Sequence, residues 1–221
     1  MQHPLADCPI SLRTLDSLPP AGDGGEGEND VPPLPKAVDF ITVTIFLWGS
    51  SLELFTGVNM QYSIRKARQE DLPEIRSLYA GARVFMRKAG NPDQWGTGYP
   101  PEAVVQEDIE QGNLYLLCEQ EKIHGVFMFR IFEDPTYQII EEGDWHFREP
   151  YGVIHRVAGD GSGGILRAAV TYAQQFISCL RIDTHEKNLP MQRAIARMGF
   201  EKCGIIYTQA GEPRLAYDRK K

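Results

Sequence analysis

The chain has 221 residues, of which 42% are apolar and 24% charged, with a net charge of −7. Such a composition is that of a globular protein with one ordinary domain, or one domain plus an appendage, and its acidic balance excludes a protein built to grip nucleic acid through a basic face. Four cysteines (Cys8, Cys118, Cys179 and Cys203) stand far apart, with no CxxC pair and no His nearby; they form no disulfide or zinc framework and suit a reducing cytoplasm.

The charge is uneven. Residues 1–59 hold two basic residues, Arg13 and Lys36, against eight acidic ones, and the rest of the chain is close to neutral. Residues 1–37 contain seven Pro and four Gly with little periodicity. That stretch cannot bury enough surface to offset chain entropy and is expected to be disordered. A short apolar segment follows within 40–58. Its core, 40–52, is fenced by Asp39 and Glu53 and is too short for a membrane span of about 20 residues. No basic region precedes it, which argues against a signal peptide. Two readings stay open: a strand or sticky appendage, or a protein that begins at Met60 with 1–59 from an upstream start.

From residue 60 the pattern is that of a folded domain, 60–221. Residues 62–67 alternate as a strand. A helix follows, with Asp71 or Glu70 as cap, Pro73 in its first turn and Gly90 at its end; Leu72, Ile75, Leu78, Tyr79, Ala82, Phe85 and Met86 form its apolar stripe. Residues 91–101 read as a loop and 102–112 as a short second helix. Residues 113–119 and 123–132 read as a hairpin, and 133–150 as a long polar segment. A strand at 151–158 runs into a glycine-rich turn and a helix to about Phe176. Then come a strand at 179–184, a helix capped by Asn188 and stopped by Gly199, and two final strands. Hairpins in the first half and crossover helices in the second imply an α+β fold. Its sheet is mixed, mostly antiparallel, of six or seven strands with about four helices on its two faces.

The turn, "HRVAGDGSGGILRAAV" from 155 to 170, carries Gly159, Gly161, Gly163 and Gly164 between strand and helix. Free N–H groups at a helix start favour an anion. A phosphate loop of the GxxxxGK[ST] type is excluded, because Ile165 and Leu166 stand where Lys and Ser/Thr are needed. Gly159, Gly161 and Gly164 match GxGxxG, and Asp183 ends the next strand near the spacing that a dinucleotide-binding unit requires. Against it, the chain after Asp183 is too short for further strand–helix units, and the preceding strands read as antiparallel. A third reading is a coenzyme A turn, and a fourth is a tight turn that binds nothing.

Residues 62–219 resemble the GNAT family of N-acetyltransferases. The resemblance rests on "IRKARQEDLPEI", "YGVIHRVAGDGSGGI" and "LRIDTHEKNLPMQRAIARMGFEKCGIIY", in that order, together with "GNPDQW" and "RLAYDR". It implies an acyl-CoA N-acyltransferase fold with acetyl-CoA as co-substrate and no metal. It further implies transfer to a primary amine of a small molecule or peptide, in a cytoplasmic monomer or homodimer that binds neither nucleic acid nor membrane. The alternatives are a CoA-binding domain without catalysis and a dinucleotide-binding enzyme. Among the departures from the family pattern, Gly161 stands where Arg or Gln is usual, Leu166 replaces a small residue, and Ile195 stands where a tyrosine often acts as general acid.

The resemblance implies that the strand main chain at Val157 and Ala158 pairs with the pantetheine arm. The amides of Gly161, Ser162, Gly163, Gly164 and Ile165 would cradle the pyrophosphate, and Asn188 would reach the arm or only cap its helix. An amine must lose a proton before it attacks a thioester, and a positioned base contributes about 10²- to 10⁴-fold. Period-two alternation puts Tyr151, Val153, His155 and Val157 on one strand face unless a bulge intervenes. Histidine is the side chain suited to general-base work at neutral pH, so His155 is the candidate base, or else a hydrogen-bonded sheet histidine. Tyr151 and Glu149 are reserves. Tyr207 is the candidate acid for the leaving thiolate, or a packed tyrosine, and an N–H near Val157 would steady the oxyanion. Asn91, Gln94 and Trp95 either frame the acceptor pocket or make an Asn-Pro turn with Trp95 wedged on the core. Tyr137 and Trp145, in the long 133–150 segment, are further candidates for the acceptor site.

Overall fold

The computed structural model describes residues 62–221. The 1–59 extension, its apolar segment, Cys8 and the possible start at Met60 lie outside the described residues.

A seven-stranded sheet organises the chain. Strand β1 (Ser63–Lys66) leads through a 3-10 turn into helix α1 (Leu72–Lys88), and a loop leads to α2 (Glu102–Glu110). The hairpin β2 (Leu114–Glu119) and β3 (Lys122–Ile131) follows. Next come β4 (Tyr151–Gly159), α3 (Ile165–Ala173), β5 (Cys179–Thr184), α4 (Leu189–Arg197), β6 (Glu201–Tyr207) and β7 (Pro213–Lys220). The strand order is β1-β2-β3-β4-β5-β7-β6, and every neighbouring pair is antiparallel except β4–β5. The expected mixed, mostly antiparallel sheet is borne out. A doubly wound parallel sheet is not present among the described residues, and the dinucleotide reading falls with it.

The core follows from strand alternation. Leu114, Leu116, Cys118, Val126 and Met128 pack on one face against Ile75, Leu78, Tyr79 and Met86 of α1 and Val105 and Ile109 of α2. The residues between them, Tyr115, Leu117, Phe127 and Phe129, pack on the other face against Ile165, Leu166, Ala169 and Val170 of α3 and Ile195 of α4. The period of two in the strands thus meets the period near 3.6 in the helices. Among the described residues no helix is long and apolar enough to cross a membrane.

Two caps behave differently from one another. Asn188 accepts the Met191 N–H at 3.2 Å and starts α4 as expected. Asp71 makes no side-chain cap on α1. Its carboxylate instead takes two 2.7 Å hydrogen bonds from Arg65 and one of 2.8 Å from the Arg68 N–H. An arginine fork outcompetes a lone amide for the same oxygens.

Candidate active site

Strands β4 and β5 pair only over Tyr151–Cys179, Gly152–Leu180 and Val153–Arg181. Beyond that, β5 stays in register with β7 as far as Thr184, while β4 continues to Gly159 beside β3. The two strands part in the middle of the sheet. Buried backbone groups normally find partners. From Ile154 onward, the β5-facing edge of β4 has no strand partner among the described residues.

A bulge lies at the parting. His155 is opposite Met128 and Ala158 opposite Val126, so β4 holds one residue more than β3 across this stretch. Arg156 takes up the extra length with a φ of +53°, in the left-handed region that costs a non-glycine residue about 1–3 kcal/mol. Its guanidinium forks Asp108 of α2 with two 2.8 Å hydrogen bonds, and both side chains are largely buried. The bulge corrects the expected face assignment. Val157 packs with Ile154 on the α3 and α4 side, and Ala158 lies on the α1 and α2 side.

The glycine turn needs glycine. Gly161, Gly163 and Gly164 have φ values of +95°, +85° and +73°. Asp160 shapes the turn: its carboxylate accepts the Ser162 N–H at 3.0 Å and lies 2.9 Å from Nδ1 of His124. Burial would raise the Asp160 pKa, but the Ser162 and His124 hydrogen bonds outweigh it and hold it at about 2. Tyr62 donates to the Gly163 carbonyl at 2.9 Å. The Ser162 amide, expected to face a ligand, is thus committed to Asp160. The amides of Gly161, Gly163, Gly164 and Ile165 have no partner among the described residues, and the space beside Gly161 and Gly163 is open. These four amides at the start of α3 suit a diphosphate.

His155 sits between two carboxylates at the parting. Its Nε2 is 3.0 Å from Asp134 Oδ2 and its Nδ1 3.4 Å from Asp183 Oδ1, with the ring 21% exposed. Asp134 also accepts the Thr136 N–H and hydroxyl at 2.9 and 2.7 Å. Burial would raise the Asp134 pKa, but His155 and Thr136 bring it down to about 2. Tyr137 donates its hydroxyl to Asp183 at 2.7 Å, and Tyr151 accepts the Asp134 N–H at 3.1 Å.

The other candidates are dispersed. Tyr207 is exposed and donates to Glu141 at 2.8 Å, an interaction that raises its pKa. Glu149 pairs with Lys220, where β4 and β5 are still joined. Asn91 is buried, and Asn91 and Asn188 both donate to Gln94 Oε1 at 2.8 Å. Trp95 is buried edge-on against Tyr79. Tyr137 and Trp145 are buried side chains; Trp145 and Tyr151 sandwich the Arg181 guanidinium at 3.8 Å on each side. Ile195, at the family's usual tyrosine position, is fully buried in the core. Sequence reasoning missed Asp134, Asp108 and Arg156. The Asp-Pro-Thr string at 134–136 signals a local Asx turn, but nothing in its spacing points to His155.

No family model matches the chain, and no curated protein matches it. Solved structures do. A GNAT-family acetyltransferase from Streptococcus agalactiae 2603 is 28% identical with a TM-score of 0.65, and the match covers 73% of this chain and 96% of that one. A protein provisionally described as an acetyltransferase, from Staphylococcus aureus Mu50, is 26% identical with a TM-score of 0.52, covering 71% and 97%. A GNAT-family acetyltransferase from Listeria monocytogenes 4b F2365, 19% identical with a TM-score of 0.56, shares the fold over 76% and 99%. These likenesses support by structure the expected resemblance to GNAT-family acetyltransferases.

Proposed function

We propose that residues 60–221 form an N-acetyltransferase domain that moves the acetyl group of acetyl-CoA to a primary amine of a small molecule or peptide. The observation that carries this reading is the parting of β4 from β5 beyond Val153, with four amides at the end of the parted strand that have no partner among the described residues. The cofactor supplies an activated acetyl thioester. The residues present fit it: the amides of Gly161, Gly163, Gly164 and Ile165 receive the diphosphate, and the unpaired edge of β4 around Val157 and Ala158 receives the amides of the arm. Buried free thiols at Cys118, Cys179 and Cys203 suit a reducing cytoplasm.

His155 supplies the base. Asp134, the closer carboxylate, holds the proton on Nε2 and leaves the Nδ1 lone pair facing Asp183. Asp183 attracts the acceptor's ammonium to that lone pair, and Nδ1 takes its proton. The freed amine attacks the acetyl carbonyl. The amide near Val157 would steady the oxyanion; as the carbon–sulfur bond breaks, the attacking nitrogen would give its second proton to the leaving thiolate, and the His155 imidazolium would return the first to solvent. Tyr207, tied to Glu141, is left out of this route.

Thermal shift and thiol release test the reading. Acetyl-CoA at about 100 times its Kd stabilises the protein by about 2.7 kcal/mol, and NAD leaves it unchanged. Free CoA thiol appears when an amine panel is added. Stabilisation by acetyl-CoA without thiol release for any amine assigns the CoA-binding alternative, which the buried Ile195 favours. No stabilisation overturns both.

A further inference from the structure

We infer that His146, Cys203 and Asp218 form a binding site for one divalent metal ion of the zinc class. The three residues come from the segment before β4, from β6 and from β7, and their donor atoms lie within 4.8 Å of one another. His146 Nδ1 is 2.8 Å from Asp218 Oδ1 and 3.3 Å from Cys203 Sγ. The three stand too far apart along the chain for any reading of sequence spacing to find them.

Two further observations point to a cation. Asp218 is fully buried, and among the described residues neither Lys nor Arg forms an ion pair with it: Arg181, opposite it on β5, donates to the Phe147 carbonyl instead, and the side chain at bonding distance is His146. A buried carboxylate without a full positive partner is costly. In addition, the N–H groups of His146 and Phe147 donate to Asp218 Oδ2 at 2.9 and 3.2 Å. They fix the carboxylate and leave Oδ1 on the imidazole, as outer hydrogen bonds do for metal-binding carboxylates.

The donor set selects the ion. One imidazole, one thiolate and one carboxylate suit zinc, whereas magnesium and calcium require all-oxygen surroundings. Metal bonds of about 2.0 Å to nitrogen and oxygen and about 2.3 Å to sulfur need nitrogen–oxygen and nitrogen–sulfur separations slightly wider than those present. The half-exposed His146 ring can open it by a small swing. Its exposed side leaves the fourth tetrahedral position to water. On binding, the thiol releases one proton to solvent, and the thiolate and Asp218 together neutralise the ion. The ion then clips the segment before β4 onto β6 and β7.

Cobalt(II) titration of the full chain tests this without any assay of acetyl transfer, and the inference does not rest on that activity. The expected result is one equivalent bound, with a thiolate-to-cobalt absorption in the near ultraviolet, visible bands of a four-coordinate ion, and displacement by zinc. Cys203→Ser removes the near-ultraviolet band. His146→Ala, at a half-exposed position, weakens binding at least tenfold with an unchanged circular dichroism spectrum. Absence of the band in the parent chain overturns the proposal. So does a band that survives Cys203→Ser, or binding that His146→Ala leaves intact.

Discussion

Arg156 and Asp108 are locked by two parallel hydrogen bonds, Nε to Oδ2 and Nη2 to Oδ1, each of 2.8 Å. The pair ties the bulge of β4 to α2 at the point where β4 leaves β5. Removing one partner leaves a buried charge alone, which costs about 3–5 kcal/mol. Arg156→Ala is therefore expected to lower stability by that order in urea denaturation. The double variant Arg156→Met, Asp108→Leu recovers most of it. If the pair sets the strand for the cofactor, the double variant still shows a raised KM for acetyl-CoA. A recovered KM would reduce the pair to ordinary packing.

His155→Ala is expected to slow CoA release at neutral pH by about 10²-fold or more, with little change in acetyl-CoA binding. His155→Gln, which keeps a donor near Asp134, does not rescue it. Unchanged turnover and pH profile in either variant remove His155 from the chemistry.

Asp134 gives a pH dependence with a definite sign. Its folded pKa of about 2 lies below the usual carboxylate value. The ionised form is thus favoured by folding, and the resulting stability is complete above about pH 4 and is lost as pH falls toward about 2. With solvent screening allowed for, the contribution is roughly 1–2 kcal/mol. Asp134→Asn is expected to be less stable near neutrality and to show a shallower loss between about pH 4 and about pH 2. Parallel curves for the two proteins would exclude the linkage.

The segment before β4 is stitched to the edge of β6. Glu141 and Ile205 exchange two backbone hydrogen bonds of 2.8 Å. A side chain at Gly143 would run into the carbonyl oxygen of Cys203, so Gly143→Ala is expected to destabilise by about 1–3 kcal/mol. Gly81, inside α1, has nothing within 4 Å of a Cβ position. Gly81→Ala is expected to stabilise by about 0.5–1 kcal/mol. Equal shifts in melting temperature for the two would contradict the packing described.

In the turn, Gly163→Ala meets no neighbour but keeps a φ of +85°. It is expected to weaken acetyl-CoA binding more than it lowers the melting temperature. Isothermal titration of the variant decides this; unaltered affinity would remove the turn from the binding site.

The order and kind of the elements were legible because alternation in β2, β3 and β4 and the stripe of α1 are local signals. Asn188 and Gly199 likewise mark the ends of α4 where they fall. The parts that were not legible depend on pairing across the chain. Whether Val157 shares a face with His155 is decided by one extra residue opposite β3, and no feature of β4 alone reveals it. Asp71 is well placed as a cap, yet Arg65 claims its oxygens from a neighbouring strand. His155 stood out as a titratable residue, but Asp134 and Asp183, each distant from it along the chain, come to it only through the sheet.

The divergence of β4 and β5 also bears on how such a protein can change over evolutionary time. An extended ligand seated there would be gripped by peptide groups, which every residue other than proline supplies in full. Residue identities along that seam are then free to drift while the grip survives. That latitude would let such a seam persist in chains alike in shape and only 28% identical in sequence.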